Sequence, residues 1–124
     1  MTSNEISNIV LNCAYKVHSA LGPGLLESAY QQCLAYELRK ANLRVEIEKP
    51  LELFYNGVKM DCAYRLDLWI EGKFLVELKT VKQLEPIHTA QVISYLKLSK
   101  TRLALLLNFN EKSLRDGVKR VIQD

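Results

Sequence analysis

The stretch from Arg65 to Lys79 constrains this chain more than any other. Two apolar runs, Leu66-Asp67-Leu68-Trp69-Ile70 and Phe74-Leu75-Val76-Glu77-Leu78, flank Glu71-Gly72 and read as two strands joined by a tight turn. Neither run alternates cleanly between apolar and polar residues. That pattern places the hairpin inside a sheet, covered on both faces. Into this apolar setting the sequence puts Asp67, Glu77 and Lys79. Glu77 and Lys79 are two residues apart, so on a strand they leave the same face while Leu78 goes the other way. Charged groups in a half-buried place are costly unless they pair or bind a cation, so this cost is the first sign of a site.

The turn length decides whether Asp67 joins them. A two-residue loop at Glu71-Gly72 would pair Asp67 with Val76 and send Asp67 and Glu77 to opposite faces. A three-residue loop centred on Gly72, or a bulge, brings both carboxylates to one face. Glycine at a positive-φ position suits the second arrangement, and the same-face register is the expected one.

Asp67 followed by Glu77-Leu78-Lys79 resembles the metal site of the PD-(D/E)XK nuclease superfamily. Upstream, Gly24-Leu25-Leu26-Glu27-Ser28-Ala29-Tyr30 resembles the motif that names its GxxExxY branch. Downstream, Gln91-x-x-x-Tyr95 is similar to the Gln-Tyr helix motif of RecB-like members. Leu66 stands where the superfamily name expects Pro. The resemblance runs from the first helix to the last and implies a restriction-endonuclease-like α/β fold: an αβββαβ core whose mixed central sheet is flanked by helices. It also implies a metal-ligand set of Glu27, Asp67 and Glu77. Such an all-oxygen set selects a hard cation, Mg²⁺ or Mn²⁺. Lys79 would act with Glu77 and Asp67 in hydrolysing a phosphodiester, supported by Gln91 and Tyr95, on DNA in preference to RNA. Taken without the resemblance, Glu27 is equally an acidic residue favoured at a helix N-terminus; Tyr30, one turn later, could support Glu27 or simply pack, and packing is the preferred reading.

With 124 residues, 48% hydrophobic and 25% charged, the chain suits one domain spanning 1–124. No apolar run reaches membrane-spanning length, and a basic-then-apolar leader is missing, so a cytoplasmic protein is expected. Cys13, Cys33 and Cys62 fit neither a disulfide framework nor a zinc motif, and reduced, semi-buried thiols are expected. The net charge of +3 comes entirely from the second half. Residues 97–124 alone carry seven basic side chains against three acidic ones. A basic flank suits a polyanion, although for the charge count alone a solvated helix face is the preferred reading.

Thr2-Ser3-Asn4-Glu5 can form a capping box opening a helix with a stripe through Ile6, Val10, Ala14 and Val17. His18 near its end reads as structural. A second helix begins after Pro23-Gly24, with Glu27 in its first turn, where the helix dipole would keep the carboxylate ionised. Gly24 is expected to let backbone pass closely. Residues 44–55 alternate as a strand wet on one face, with Pro50 marking an edge or bend. Asn56-Gly57 is a hairpin signal, leading through Val58–Met60 to the central hairpin. Pro86 opens a helix to about Ser99, with His88, Gln91 and Tyr95 on one arc. Leu103–Leu107 is a buried strand, and a final helix is expected from Ser113 to Ile122.

Three functions compete: a metal-dependent nuclease, the preferred reading; a non-catalytic nucleic-acid- or protein-binding module on a nuclease-like fold; and an internal ion-pair network with no site role. The small size and modest basic excess suggest a homodimer or a larger complex. No P-loop is present.

Overall fold

A computed structural model describes residues 1–123. Helix α1 (Ser3–Leu21) starts with the expected capping box, Thr2 and Glu5 each accepting the other's backbone N–H. Its stripe of Ile6, Val10, Ala14 and Val17 is buried against helix α2 (Glu27–Lys40), which contributes Tyr30, Leu34, Ala35 and Leu38. The chain then enters a five-stranded mixed sheet. Its strands are β1 (Val45–Leu51), β4 (Tyr64–Ile70), β5 (Phe74–Lys79), β6 (Leu103–Asn108) and β7 (Val118–Ile122), ordered β1-β4-β5-β6-β7. Strands β2 (Phe54–Tyr55) and β3 (Val58–Lys59) form a separate exposed hairpin around Asn56-Gly57. Pro50 lies in β1, an edge strand, where a missing N–H costs no ladder bond.

The central hairpin has the longer turn. Ile70 pairs with Phe74 and Leu68 with Val76, so Glu71, Gly72 and Lys73 form a three-residue connection, with Gly72 at φ 67°. Strand β5 sits in the middle of the sheet and is covered on both faces. One apolar cluster unites α1 and α2 with Leu68, Ile70, Phe74, Val76, Leu78, Leu105 and Leu107. The other joins Val92 and Leu96 of helix α3 (Pro86–Ser99) to Leu66, Trp69, Leu75, Ala104 and Leu106. Strands β5 and β6 run parallel, with α3 as the connection.

The final helix does not form. Residues Leu114–Gly117 make a single 3₁₀ turn, and Val118–Ile122 pair antiparallel with β6. Two forces override the helical spacing. Without β7, the buried β6 would leave a row of backbone N–H and C=O groups unpaired, and the β-branched Val118, Val121 and Ile122 suit a strand. Gly117 makes the corner possible, because a Cβ there would lie 2.5 Å from the Asn108 carbonyl oxygen. The basic residues of this segment therefore stand on an edge strand and the turn before it.

The cysteines are free thiols; Cys13 and Cys33 are half-buried, but Cys62 is exposed. Among the described residues, no helix is long and apolar enough to cross a membrane.

Candidate active site

The β4–β5 ladder stops at Leu68 and Val76, and the next pair in register is Asp67 and Glu77. Here the side chains replace the ladder. Asp67 N–H donates to Glu77 Oε2 at 2.7 Å, and Leu78 N–H donates to Asp67 Oδ2 at 2.9 Å. Each carboxylate thus spends one oxygen on the backbone of the opposite strand. Two strands joined this way splay, and the regular alternation breaks: Leu66 joins the cluster under α3, whereas Leu68, two residues on, joins the cluster under α1 and α2. The two acids stand side by side at the point where the sheet opens.

Strand β1 opens at the same level. Ile47 pairs with Leu68 and Lys49 with Leu66, so Glu48 lies opposite Asp67. Glu48 takes a left-handed conformation, φ 55°, which a non-glycine residue inside a strand adopts only at a cost. Its Oε1 accepts a hydrogen bond from Gln31 Nε2 at 3.0 Å, and the same Nε2 lies 3.1 Å from the Asp67 carbonyl oxygen. Gln31 is buried on α2, one turn after Glu27. Glu48 and Gln31 are the residues that sequence reasoning missed. The i, i+4 spacing of Glu27 and Gln31 was a usable signal for the second. Glu48 had none, because its placement follows from the β1–β4 register.

The electrostatics follow from burial. Glu77 is 3% exposed, and desolvation, reinforced by Asp67, pushes its carboxyl up to about 9. Asp67 is raised to about 6, first by desolvation and then by Glu27 and Glu48, against the Leu78 N–H bond and Lys79, which lower it. Glu27 is raised too, chiefly by desolvation, with Lys79 opposing. The helix dipole alone would have kept Glu27 low; loss of solvent outweighs it. Lys79 is the cation common to all three acids.

From α3, Tyr95 faces the same acids. Its phenol is raised by desolvation and by Glu77 and Asp67, with the Gln91 side chain acting in the opposite direction. Its ring lies 6.0 Å from that of Tyr64 on β4. His88 takes no part: its Nδ1 accepts the Glu85 N–H at 2.8 Å and caps α3.

Glu27, Asp67, Glu77, Lys79 and Tyr95 therefore act on one another's charge, with Gln91 beside Tyr95, although the three acids do not close into a shell. Among the described residues, no three acidic, histidine or cysteine side chains converge closely enough to hold a metal ion together. What the structure presents is a cross-strand carboxylate pair with Glu27 standing off in its field. The donor chemistry suits a hard divalent cation: oxygen donors only, buried or half-buried, and raised by desolvation first and by one another second.

A model of the PD-(D/E)XK nuclease superfamily matches residues 4–121. The chain belongs to the PD-(D/E)XK nuclease superfamily. The five-stranded mixed sheet with flanking helices is the restriction-endonuclease-like fold of that superfamily. Its nucleases typically use divalent metals. Neither a curated protein nor a solved structure matches the chain.

Within this family frame, His18 and Asn108 are structural. The His18 Nε2–H donates to the Glu111 carbonyl at 2.8 Å. Asn108, fully buried, accepts the Val81 N–H at 3.1 Å and donates to the Val81 carbonyl at 2.9 Å, holding the connection that leaves Lys79.

Proposed function

We propose that this protein is a Mg²⁺- or Mn²⁺-dependent nuclease of the GxxExxY branch, hydrolysing phosphodiester bonds in DNA rather than RNA. The observation that carries the reading is the Asp67–Glu77 pair. A fold has no need to place a buried and a half-buried carboxylate side by side across a broken ladder, and burial raises both carboxyls, as a site that holds charge would.

Asp67 and Glu77 would hold the cation through the oxygens turned away from the opposite strand's amides, with Glu27 completing the set from α2. A cation bound there supplies Lewis acidity, polarising the scissile phosphate and making water a better nucleophile. The chain's own groups do the rest. Lys79 leaves β5 on the same face as Glu77 and offers its ammonium to the attacking water or to a phosphate oxygen as negative charge develops. Tyr95 stays a neutral phenol at physiological pH, because burial and the carboxylates raise it, and so remains an O–H donor. Gln91, one turn earlier on α3, would support that hydroxyl. Gln31 anchors Asp67 by its carbonyl and sets Glu48 at the rim.

The test is incubation of purified protein with single- and double-stranded DNA and with RNA in Mg²⁺, Mn²⁺ or EDTA, beside Glu77→Ala and Lys79→Ala. Metal-dependent cleavage lost in both variants is the expected result, and cleavage surviving both would refute the site. Metal binding without cleavage by the wild-type protein would leave a nucleic-acid-binding module in place of an enzyme.

A further inference from the structure

Tyr30 lies inside the first core cluster, yet its hydroxyl is not idle. It donates to the Gly22 carbonyl at 2.5 Å and accepts the Leu25 N–H at 3.1 Å. Those two bonds span the loop that enters α2. The loop has little else to hold it: α2 has no side-chain cap at Leu26, and Leu25 and Leu26 are exposed. Gly24 in its middle adopts φ 98°, with nothing within 4 Å of where a Cβ would be. Its role is therefore conformational, not the close backbone approach expected from sequence. The loop delivers Glu27, the first residue of the helix.

The ring end of Tyr30 reaches the other half of the site. It stacks on Phe109, with centroids 4.7 Å apart and planes 21° from parallel. Phe109 N–H donates to the Lys79 carbonyl at 2.9 Å. One side chain thus bonds the loop before Glu27 and packs on the residue that anchors Lys79.

We propose that Tyr30 is a positioning residue that fixes Glu27 relative to Lys79, so that the spacing of Gly24, Glu27 and Tyr30 encodes a loop clamp. Tyr30 meets no substrate and acts only through Glu27. The proposal rests on the metal-site reading given above.

The test measures Mn²⁺ affinity by calorimetry for the metal-free wild type, Tyr30→Phe, Glu27→Gln, the double variant and Glu77→Gln, with a thermal melt of each. Tyr30→Phe keeps the stack and removes both loop bonds. Its Mn²⁺ affinity is expected to fall about tenfold, the usual consequence of freeing a ligand from its orienting partner. Glu27→Gln is expected to fall similarly, and the double variant no further, since both changes act through one carboxylate. Gly24→Ala strains the same loop from outside the core and should lose affinity alike, which keeps the test decisive if Tyr30→Phe folds poorly. Wild-type affinity in Tyr30→Phe and Gly24→Ala, with only a lowered melting temperature, would make the tyrosine merely structural and overturn the proposal. Additive losses in the double variant would overturn it equally. Equal Mn²⁺ affinity in wild type and Glu77→Gln would overturn the metal-site reading itself, and the clamp with it.

Discussion

Replacing Glu77 by glutamine should make the metal-free protein more stable while destroying its activity. Glu77 is 3% exposed, with its carboxyl raised to about 9, and Asp67 beside it is raised to about 6. A carboxyl raised on folding binds its proton more tightly in the folded state. Folding stability is then full below the unfolded value near 4.5 and is lost as pH rises through the folded value. Each tenfold displacement is worth about 1.4 kcal/mol. Asp67 alone, moved by roughly two pH units, therefore weakens the metal-free protein by about 3 kcal/mol at pH 8. Glu77 is displaced further, but the two acids share one field and their costs do not add.

Glu77→Gln removes a carboxyl that must take up a proton on folding at pH 8 and keeps an oxygen to accept the Asp67 N–H, so relief of about 2 kcal/mol at pH 8 is expected. For a chain of 124 residues that is roughly 6–8 °C in Tm. Thermal melts in EDTA from pH 5 to 9 would read it directly. Wild-type Tm should decline across that range, the variant's should decline less, and the two should converge near pH 4.5. A flat wild-type profile, or a variant no more stable at pH 8, would refute the claim that burial raises this pair of carboxyls.

Mn²⁺ at a hundredfold excess over its Kd should raise wild-type stability by about 2.7 kcal/mol, and differential scanning fluorimetry should show no such gain for Glu77→Gln. Lys79→Met should reduce kcat by about 10²–10³-fold through loss of a charge-stabilising donor, while calorimetry shows Mn²⁺ still bound. Asn108→Ala strands the Val81 N–H and C=O and should cost about 1–3 kcal/mol in urea unfolding. Gly117→Ala drives a Cβ to 2.5 Å from the Asn108 carbonyl and should cost a comparable amount, about 1–3 kcal/mol, in the same assay.

Much of the scaffold was legible because it rests on local rules. The α1 capping box, Pro86 at the start of α3 and the Asn56-Gly57 hairpin are fixed within a few residues of chain. Gly72 announced the three-residue turn, and with it the register that puts Asp67 beside Glu77. Residues 113–122 form a turn and a strand in place of the expected helix: Leu114, Val118 and Val121 satisfy a helical spacing, while the demand for a strand comes from β6. Glu48 and Gln31 were invisible for the same reason. Each becomes part of the site only when β1 is laid against β4 and α2 is laid over both.

These misses share a cause with the site itself. A sheet interior normally hides its backbone by pairing every N–H and C=O, and a sequence reader assumes that pairing continues. Here it is interrupted at one level on both sides of β4, by the left-handed Glu48 in β1 and by the crossed carboxylates of Asp67 and Glu77. α2 and α3 approach that interruption from opposite faces, bringing Glu27 and Gln31 from one and Tyr95 from the other. The apolar runs keep the hairpin central and solvent away, which raises the carboxyls. The broken ladder then gives each of those carboxyls one backbone amide from the opposite strand. A fully paired β4–β5 hairpin would be the more stable fold, with no place for the chemistry.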